Sequence, residues 1–384
     1  MESGYSEQLK RAKNAKNPMT PDSELQALAR SSRWRIRSGV ARNPSTDEAT
    51  LAALAKDQHW AVRLCVAANP NAPSGALEDL SKDVVHNVRY QVATHQNAPL
   101  AALSALAADE NDRVREGAAK NPRSSRGILS ALAKDGRWWV RQDVARNPST
   151  PIDLLSDLAN DVEETVRYYI ADNPRTASED IARLAQDRYV SVRMGVAGNP
   201  RTPKAILAVL AQEADERVQQ AVAENTKAPQ DLLAFLAREG CESVKWAVAR
   251  NPSAPAEAVV GLVRNIGAAV LAAAAGNPTL ADEVLPELAE DSDFMIRCHV
   301  AMFKKTPSKV LSKLADDPVS AVRASAAANK RVPVKALERL ARDRDPAVQR
   351  ALVGNPRTPP EALELLLKTA KGETWRTASQ RLRA

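Results

Sequence analysis

VRQDVARNPSTPIDLLSDLAND, residues 140–161, decides the fold, because its landmarks return every 26 residues along the chain without slippage. Its Asn147-Pro148 dipeptide occupies one of fourteen such slots, running from Asn17-Pro18 and Asn43-Pro44 to Asn355-Pro356. Four slots depart clearly from the pattern: His95-Gln96, Asn225-Thr226, Phe303-Lys304 and Asn329-Lys330. A fixed period of about 20–50 residues is the signature of a solenoid, in which each unit buries its apolar face only against its neighbours.

With the Asn slot as position 1, position 12 is leucine in all fourteen copies, from Leu28 to Leu366, and position 9 is Leu, Ile or Val. With alanine usual at position 13, this is the i, i+3, i+4 stripe of an amphipathic helix. Thr-Pro at positions 4 and 5, as in Thr150-Pro151 and Thr202-Pro203, predicts its start. Thr would cap the orphan N–H groups and Pro would take the first helical position, leaving a helix of about eight or nine residues. Val or Ile at position 20 and an apolar residue at position 24 predict a second helix ending at the Asn-Pro slot. Asn would close that helix in the left-handed conformation, with Pro preventing its continuation. The slot is thereby read as turn chemistry.

Eight copies carry both Asp at position 15 and Arg at position 21, for example Asp135/Arg141 and Asp161/Arg167. The two change together: Asn265/Leu271 lose both, Glu213/Gln219 alter both, and Glu239/Lys245 keep the charges. The pattern predicts a structural ladder in which each Asp accepts from an Arg and from loop amides, in preference to a row of catalytic arginines. The disturbed stretch from Glu213 to Leu271 suggests a change of curvature there.

The rest of the composition agrees. Aromatic residues make up only 4%, so Leu, Val and Ala must fill the interior. Cys65, Cys241 and Cys298 form no disulfide framework or metal pair by spacing, which favours a reducing compartment. The polar N-terminus lacks a signal-peptide core, and no apolar run approaches the roughly 18 residues of a membrane span. A cytoplasmic, monomeric protein is expected, with residues 1–16 as an N-terminal cap, 17–368 as the repeats and 369–384 as a basic C-terminal tail or cap. The net charge of +7 points towards an anionic partner.

The string V-R-x-x-V-A-x-N-P-x-T-P-x-x-L-L-x-x-L-A-x-D, seen from Val140 to Asp161, resembles the leucine-rich repeat variant family of bacterial proteins. The resemblance covers roughly residues 17–368. It implies an all-α, right-handed superhelical solenoid of about fourteen two-helix repeats, without β-sheet, alternating α and short 3₁₀ helices. The Asp–Arg pair also looks like the ladder of HEAT repeats. Some members bind an iron–sulfur centre through an N-terminal cysteine cluster. No cysteine precedes Cys65 here, so no cofactor is implied.

Function is then sought between the repeated positions. Trp34, Trp60, Tyr90, Trp138, Trp139, Tyr168 and Trp246 fall on the second helices. They either line a concave aromatic track or pack sideways as filler between repeats. Basic residues recur at position 3 (Arg123, Arg175, Arg201, Lys227, Lys305, Arg331, Arg357) and at position 26 (Arg42, Lys120, Arg146, Arg250). They either form an anion-binding edge or complement helix dipoles. The histidines His59, His86, His95 and His299 sit at scattered phases without metal-ligand spacing. Nucleotide-loop, hydrolase and metalloprotease motifs do not occur.

Three readings follow, in order of preference. The first is a non-enzymatic scaffold binding a protein or peptide. The second is nucleic-acid binding through the basic edge and aromatic track. The third is a HEAT-like DNA glycosylase, for which Asp143 beside Trp138 and Trp139 is the one local candidate.

Overall fold

Both helices of the repeat form, and they alternate throughout the computed structural model, which describes residues 10–383. No strand occurs among the described residues. Chain contacts divide the molecule into two compact units, residues 1–196 and 197–384, each a run of helix pairs. Residues 10–16 are helical and bury Ala15. The rest of the expected N-terminal cap, residues 1–9, lies outside the described residues.

The first helix is shorter than expected and starts differently. Ile152–Leu158 spans seven residues, with Pro151 outside it as the N-cap and no side-chain cap bond. Pro151 O accepts the first helical bond, from Leu155 N. Thr150 does not cap this helix; its hydroxyl turns back and donates to Val144 O at 2.6 Å. Thr46, Thr176, Thr306 and Thr358 do the same. The threonine thus satisfies a carbonyl of the preceding helix end, where four C=O groups lack intrahelical partners. These first helices are α rather than 3₁₀; the one 3₁₀ segment among the described residues is Ala274–Gly276.

The second helix, Trp138–Arg146, stops at Asn147 as the sequence predicts. Its cap is extended, however, with φ −70 and ψ 126, and among the described residues only glycine takes positive φ. The asparagine instead ties one repeat to the one before. Asn147 Nδ2 donates to Ala119 O at 2.6 Å and Asn121 O at 2.9 Å, while its Oδ1 accepts from Ser149 N. Asn43, Asn69, Asn121, Asn225, Asn251, Asn329 and Asn355 repeat the double donation. All eight are buried. The slot is therefore an asparagine ladder, and turn chemistry alone does not account for it.

The exceptions are filled by other donors. His95 Nε2 lies 2.9 Å from Asn69 O and Nδ1 accepts from Asn97 N, which requires the neutral ring with its proton on Nε2. It reproduces the bond to the carbonyl 26 residues back and the acceptance from the loop amide, but not the second donation 28 residues back. At Phe303 the missing amide is supplied by Lys305, whose Nζ donates to Ala275 O at 2.8 Å. Arg381, one period beyond Asn355, lies in the C-terminal helix Gly372–Arg383 and donates to Val353 O and Asn355 O. Because His95 already makes two of the three ladder bonds, His95→Asn adds at most one hydrogen bond and is expected to raise unfolding free energy by no more than about 1 kcal/mol in urea denaturation.

The Asp–Arg ladder forms with a different pairing. Arg141 does not bond the carboxylate of Asp135 six residues earlier; it donates to the Asp135 backbone O at 2.8 Å. Its guanidinium instead grips Asp161 of the next repeat through Nε at 2.6 Å and Nη2 at 2.8 Å. The Asp161 Oδ1 also accepts from Glu163 N. The same step of 20 residues joins Arg37–Asp57, Arg63–Asp83, Arg89–Asp109, Arg115–Asp135, Arg167–Asp187, Arg297–Asp317 and Arg323–Asp343. Where Leu271 replaces the arginine, Arg264 from the preceding helix reaches Asp291 at 2.7 Å. That helix runs on to Ile266, and Gly267 makes the turn at φ 96, a conformation that favours glycine.

Burial pushes each ladder carboxyl up, but the arginine bond, the loop amide and nearby arginine charge outweigh it. Nine aspartates end below the ordinary 3.8. A depressed folded pKa contributes stability that is complete above the unfolded value and disappears as pH falls through the folded one. Stability is therefore expected to hold above pH 3.8 and to collapse steeply below it, which acid titration of helical circular dichroism will check.

The core is the predicted one. Every position-12 leucine is buried, from Leu28 to Leu366, with Val140 and Val144 opposite on the second helix. Within each unit the second helices pack closely on one another while the first helices are more splayed. Glycine permits the approach: a Cβ on Gly117 would meet Ala93 Cβ at 2.9 Å, and one on Gly195 would meet Tyr168 O at 2.9 Å.

Candidate binding surface

In the unit 1–196, the second helices bring most of the predicted aromatics to one layer. Trp34 stacks on His59 of the next repeat at 4.1 Å and 7°, with the Arg35 guanidinium 5.3 Å from its ring centre. Trp60 continues the stack and is 45% exposed. Trp138 is exposed and meets Trp139 edge-on at 5.7 Å. Arg137 lies over the Trp139 ring, whose buried Nε1 has no partner. Tyr168 packs edge-on against Tyr169, which Arg146 covers at 4.9 Å. Tyr90 is half-buried and flanks the site where Gly117 approaches. Trp246 lies on Glu242–Arg250 in the unit 197–384, with its Nε1 3.5 Å from Glu242.

The aromatics thus divide. Trp60 and Trp138 offer free ring surface, while Trp34, Trp139 and Tyr169 are engaged by histidine, arginine or one another. Tyr189, another exposed ring, sits under both Arg167 and Arg188. Its signal was present in the sequence, since it is one of the aromatics at positions 17 to 23.

The basic positions also divide. Arg42, Lys120 and Arg146 end second helices, where cations complement the dipole. Lys120 is further tied to buried Glu116, with Nζ to Oε1 at 2.5 Å, and lies 3.5 Å from Asp143. At position 3, Arg175 donates to Pro148 O and Arg357 to Lys330 O. Ser45, Asn71, Asn97, Ser149 and Ser253 make the equivalent bond one period back, so part of this edge is another inter-repeat tie. Arg123, Arg201, Lys227 and Arg331 are exposed and carry no carboxylate partner among the described residues.

Asp143 is buried to 4% exposure, which sequence spacing did not reveal. Burial pushes its carboxyl up; Lys120 opposes this and Glu116 adds to it. The carboxylate faces this ion cluster and is not presented beside Trp138 at the surface. Among the described residues no group of His, Cys, Asp and Glu is placed to hold a metal, and no helix is long and apolar enough to cross a membrane.

Helix pairs that bury one leucine stripe, tied repeat to repeat by amide and guanidinium ladders, define a helical repeat solenoid. More narrowly, residues 165–226 match the Leucine Rich Repeat Variant domain model. A solved leucine-rich repeat variant with a novel repetitive structural motif is 27% identical over 58% of this chain and 87% of its own, with a TM-score of 0.44. The crystal structure of an engineered protein is 18% identical over 94% and 97%, with a TM-score of 0.25. A chain from a structure of Kap95p binding to RanGDP is 11% identical over 94% and 56%, with a TM-score of 0.31. No curated protein matches the chain.

Proposed function

We propose that the protein is a non-enzymatic scaffold that binds a protein partner along the second-helix layer of residues 1–196. The carrying observation is the chemistry between the rings. Exposed Trp60 and Trp138 belong to a layer whose other second helices carry charges of both signs: Arg35 and Arg42 on Trp34–Arg42, Asp112 and Arg113 on Asp112–Lys120, and Glu164 and Asp172 on Glu164–Asp172. Carboxylates spaced along the layer repel a phosphate backbone but suit a partner of mixed charge, and Trp is a favoured interface anchor. The closer packing of second than first helices favours this layer as the inner face of the curve.

The unpaired edge residues Arg123, Arg201, Lys227 and Arg331 support the nucleic-acid reading as the alternative. One experiment separates the two. Affinity capture from lysate, with and without nuclease, is compared between the native chain and the Trp60→Ala/Trp138→Ala variant. Loss of a hot-spot pair predicts at least about tenfold weaker capture of a nuclease-resistant protein, with unchanged thermal melting. Capture that disappears with nuclease, or that ignores both tryptophans, rejects the proposal.

A further inference from the structure

In the unit 197–384 the same helical layer changes chemistry. The helix Phe294–Met302 leaves Phe294 42%, Met295 49% and Met302 57% exposed. Met295, His299 and Met302 stand at i, i+4 and i+7, on one face of the helix. The flanking elements Ala269–Ala273 and Ser320–Ala328 present Ala269, Ala321 and Ala328 to solvent. At the outward positions 18, 19, 22, 23 and 26 these three repeats contain no Asp, Glu, Lys or Arg. The equivalent positions of earlier repeats hold Arg35, Glu116, Lys120 and Glu164. The result is an exposed aromatic–methionine ridge on Phe294–Met302, packed beside the alanine-rich face of Ser320–Ala328, with no charged side chain at these positions.

At the C-terminal end of these helices the rim is of one sign, while Asp293 caps the other end of the ridge helix. The loops after Phe294–Met302 and Ser320–Ala328 carry Lys304, Lys305, Lys330 and Arg331 where most repeats carry Pro and a single residue, and they contain no acid. All four are exposed, and Lys304, Lys330 and Arg331 have no carboxylate partner among the described residues. Lys305 leans back to Ala275 O, which places its ammonium beside Gly276. Exposed apolar surface with a polar rim marks an interaction site, and methionine suits one that adapts to its ligand.

We propose that this face docks an acidic amphipathic helix of another protein. Its apolar stripe lies on Phe294, Met295 and Met302, and its carboxylates meet Lys304, Lys330 and Arg331. Nucleic acid fits poorly, because the ridge offers one aromatic ring and no charge to a backbone crossing it. Two inter-repeat steps of about 8–10 Å correspond to about twelve helical residues at 1.5 Å each. This surface is independent of the tryptophan-bearing one.

The test uses the full chain and fluorescence anisotropy. The probe is a labelled peptide of about fourteen residues, helical and Glu-rich, with Leu and Phe at i, i+3, i+4 and i+7. Oligoglutamate and single-stranded DNA of equal length, and phosphatidylserine vesicles, are the comparisons. The proposal expects the amphipathic peptide to bind at least about tenfold tighter than oligoglutamate. It expects Phe294→Glu/Met302→Glu to abolish binding, and Lys330→Glu/Arg331→Glu to weaken it and flatten its salt dependence. Trp60→Ala should leave it unchanged. Both double variants alter exposed side chains, and helical circular dichroism verifies their fold. The proposal is overturned by no binding at low salt, by equal binding of oligoglutamate, DNA or vesicles, or by binding that ignores both double variants. Concentration-dependent dimerisation abolished by Met302→Glu would assign the face to a second copy of the chain and overturn it too.

Discussion

Asn147→Asp is expected to destabilise the unit 1–196 by about 4 kcal/mol, although it changes only an amide to a carboxylate of the same shape. Asn147 donates from Nδ2 to Ala119 O and Asn121 O, at 2.6 and 2.9 Å, and is 2% exposed. The aspartate has no proton to give there. It sets a negative oxygen against two carbonyl oxygens in a dry site, where an unpaired charge is costly. Asn147→Ala removes the repulsion but leaves the same carbonyls unsatisfied, so it should lose about 2–3 kcal/mol. Chemical denaturation followed by helical circular dichroism measures both. If Asn147→Asp proves no worse than Asn147→Ala, the amide is acting as a turn residue and the ladder reading fails.

Arg141→Ala is expected to cost about 3 kcal/mol, because it strands Asp161, whose side chain is 7% exposed, without its bidentate partner. Burial then raises the carboxyl unopposed by that bond, and acid unfolding should begin at higher pH than in the native chain. Replacing both partners, as Arg141→Leu/Asp161→Leu, removes the stranded charge and should recover part of the loss. Arg141 should couple more weakly to Asp135 than to Asp161, since it bonds only the Asp135 backbone oxygen and meets that carboxylate through charge alone. Strong coupling of Arg141 to Asp135, with none to Asp161, would reject the inter-repeat pairing.

Much of this architecture was legible because a repeat states its constraints fourteen times. The buried leucines, the boundary between helices and the presence of an Asp–Arg ladder all follow from periodicity. Three details did not. Thr150 was expected to cap the following helix but bonds the preceding one, because a hydroxyl can serve either neighbour and spacing alone is symmetric between them. Asn147 was expected in the left-handed conformation, but its amide reaches a carbonyl 28 residues back. The ladder was expected without saying which repeat's aspartate each arginine serves, and stacking puts the next repeat's Asp161 at the Arg141 guanidinium.

The surface was legible in composition but not in accessibility. Trp60 and Trp138 are exposed as a binding surface requires, whereas Trp34 and Trp139 are drawn into contacts with His59 and Arg137. Lys120 looked like an edge cation and is bound to Glu116; Asp143, the candidate catalytic acid beside Trp138 and Trp139, is buried.

By itself, then, the sequence determined the 26-residue period, the helical class and the leucine core, because local pattern and burial suffice for each. Only the tertiary structure decided which repeat each polar group serves. A donor at one point of the period faces acceptors in its own repeat and in the next, and the stacking distance between helices, absent from any single repeat, chooses between them.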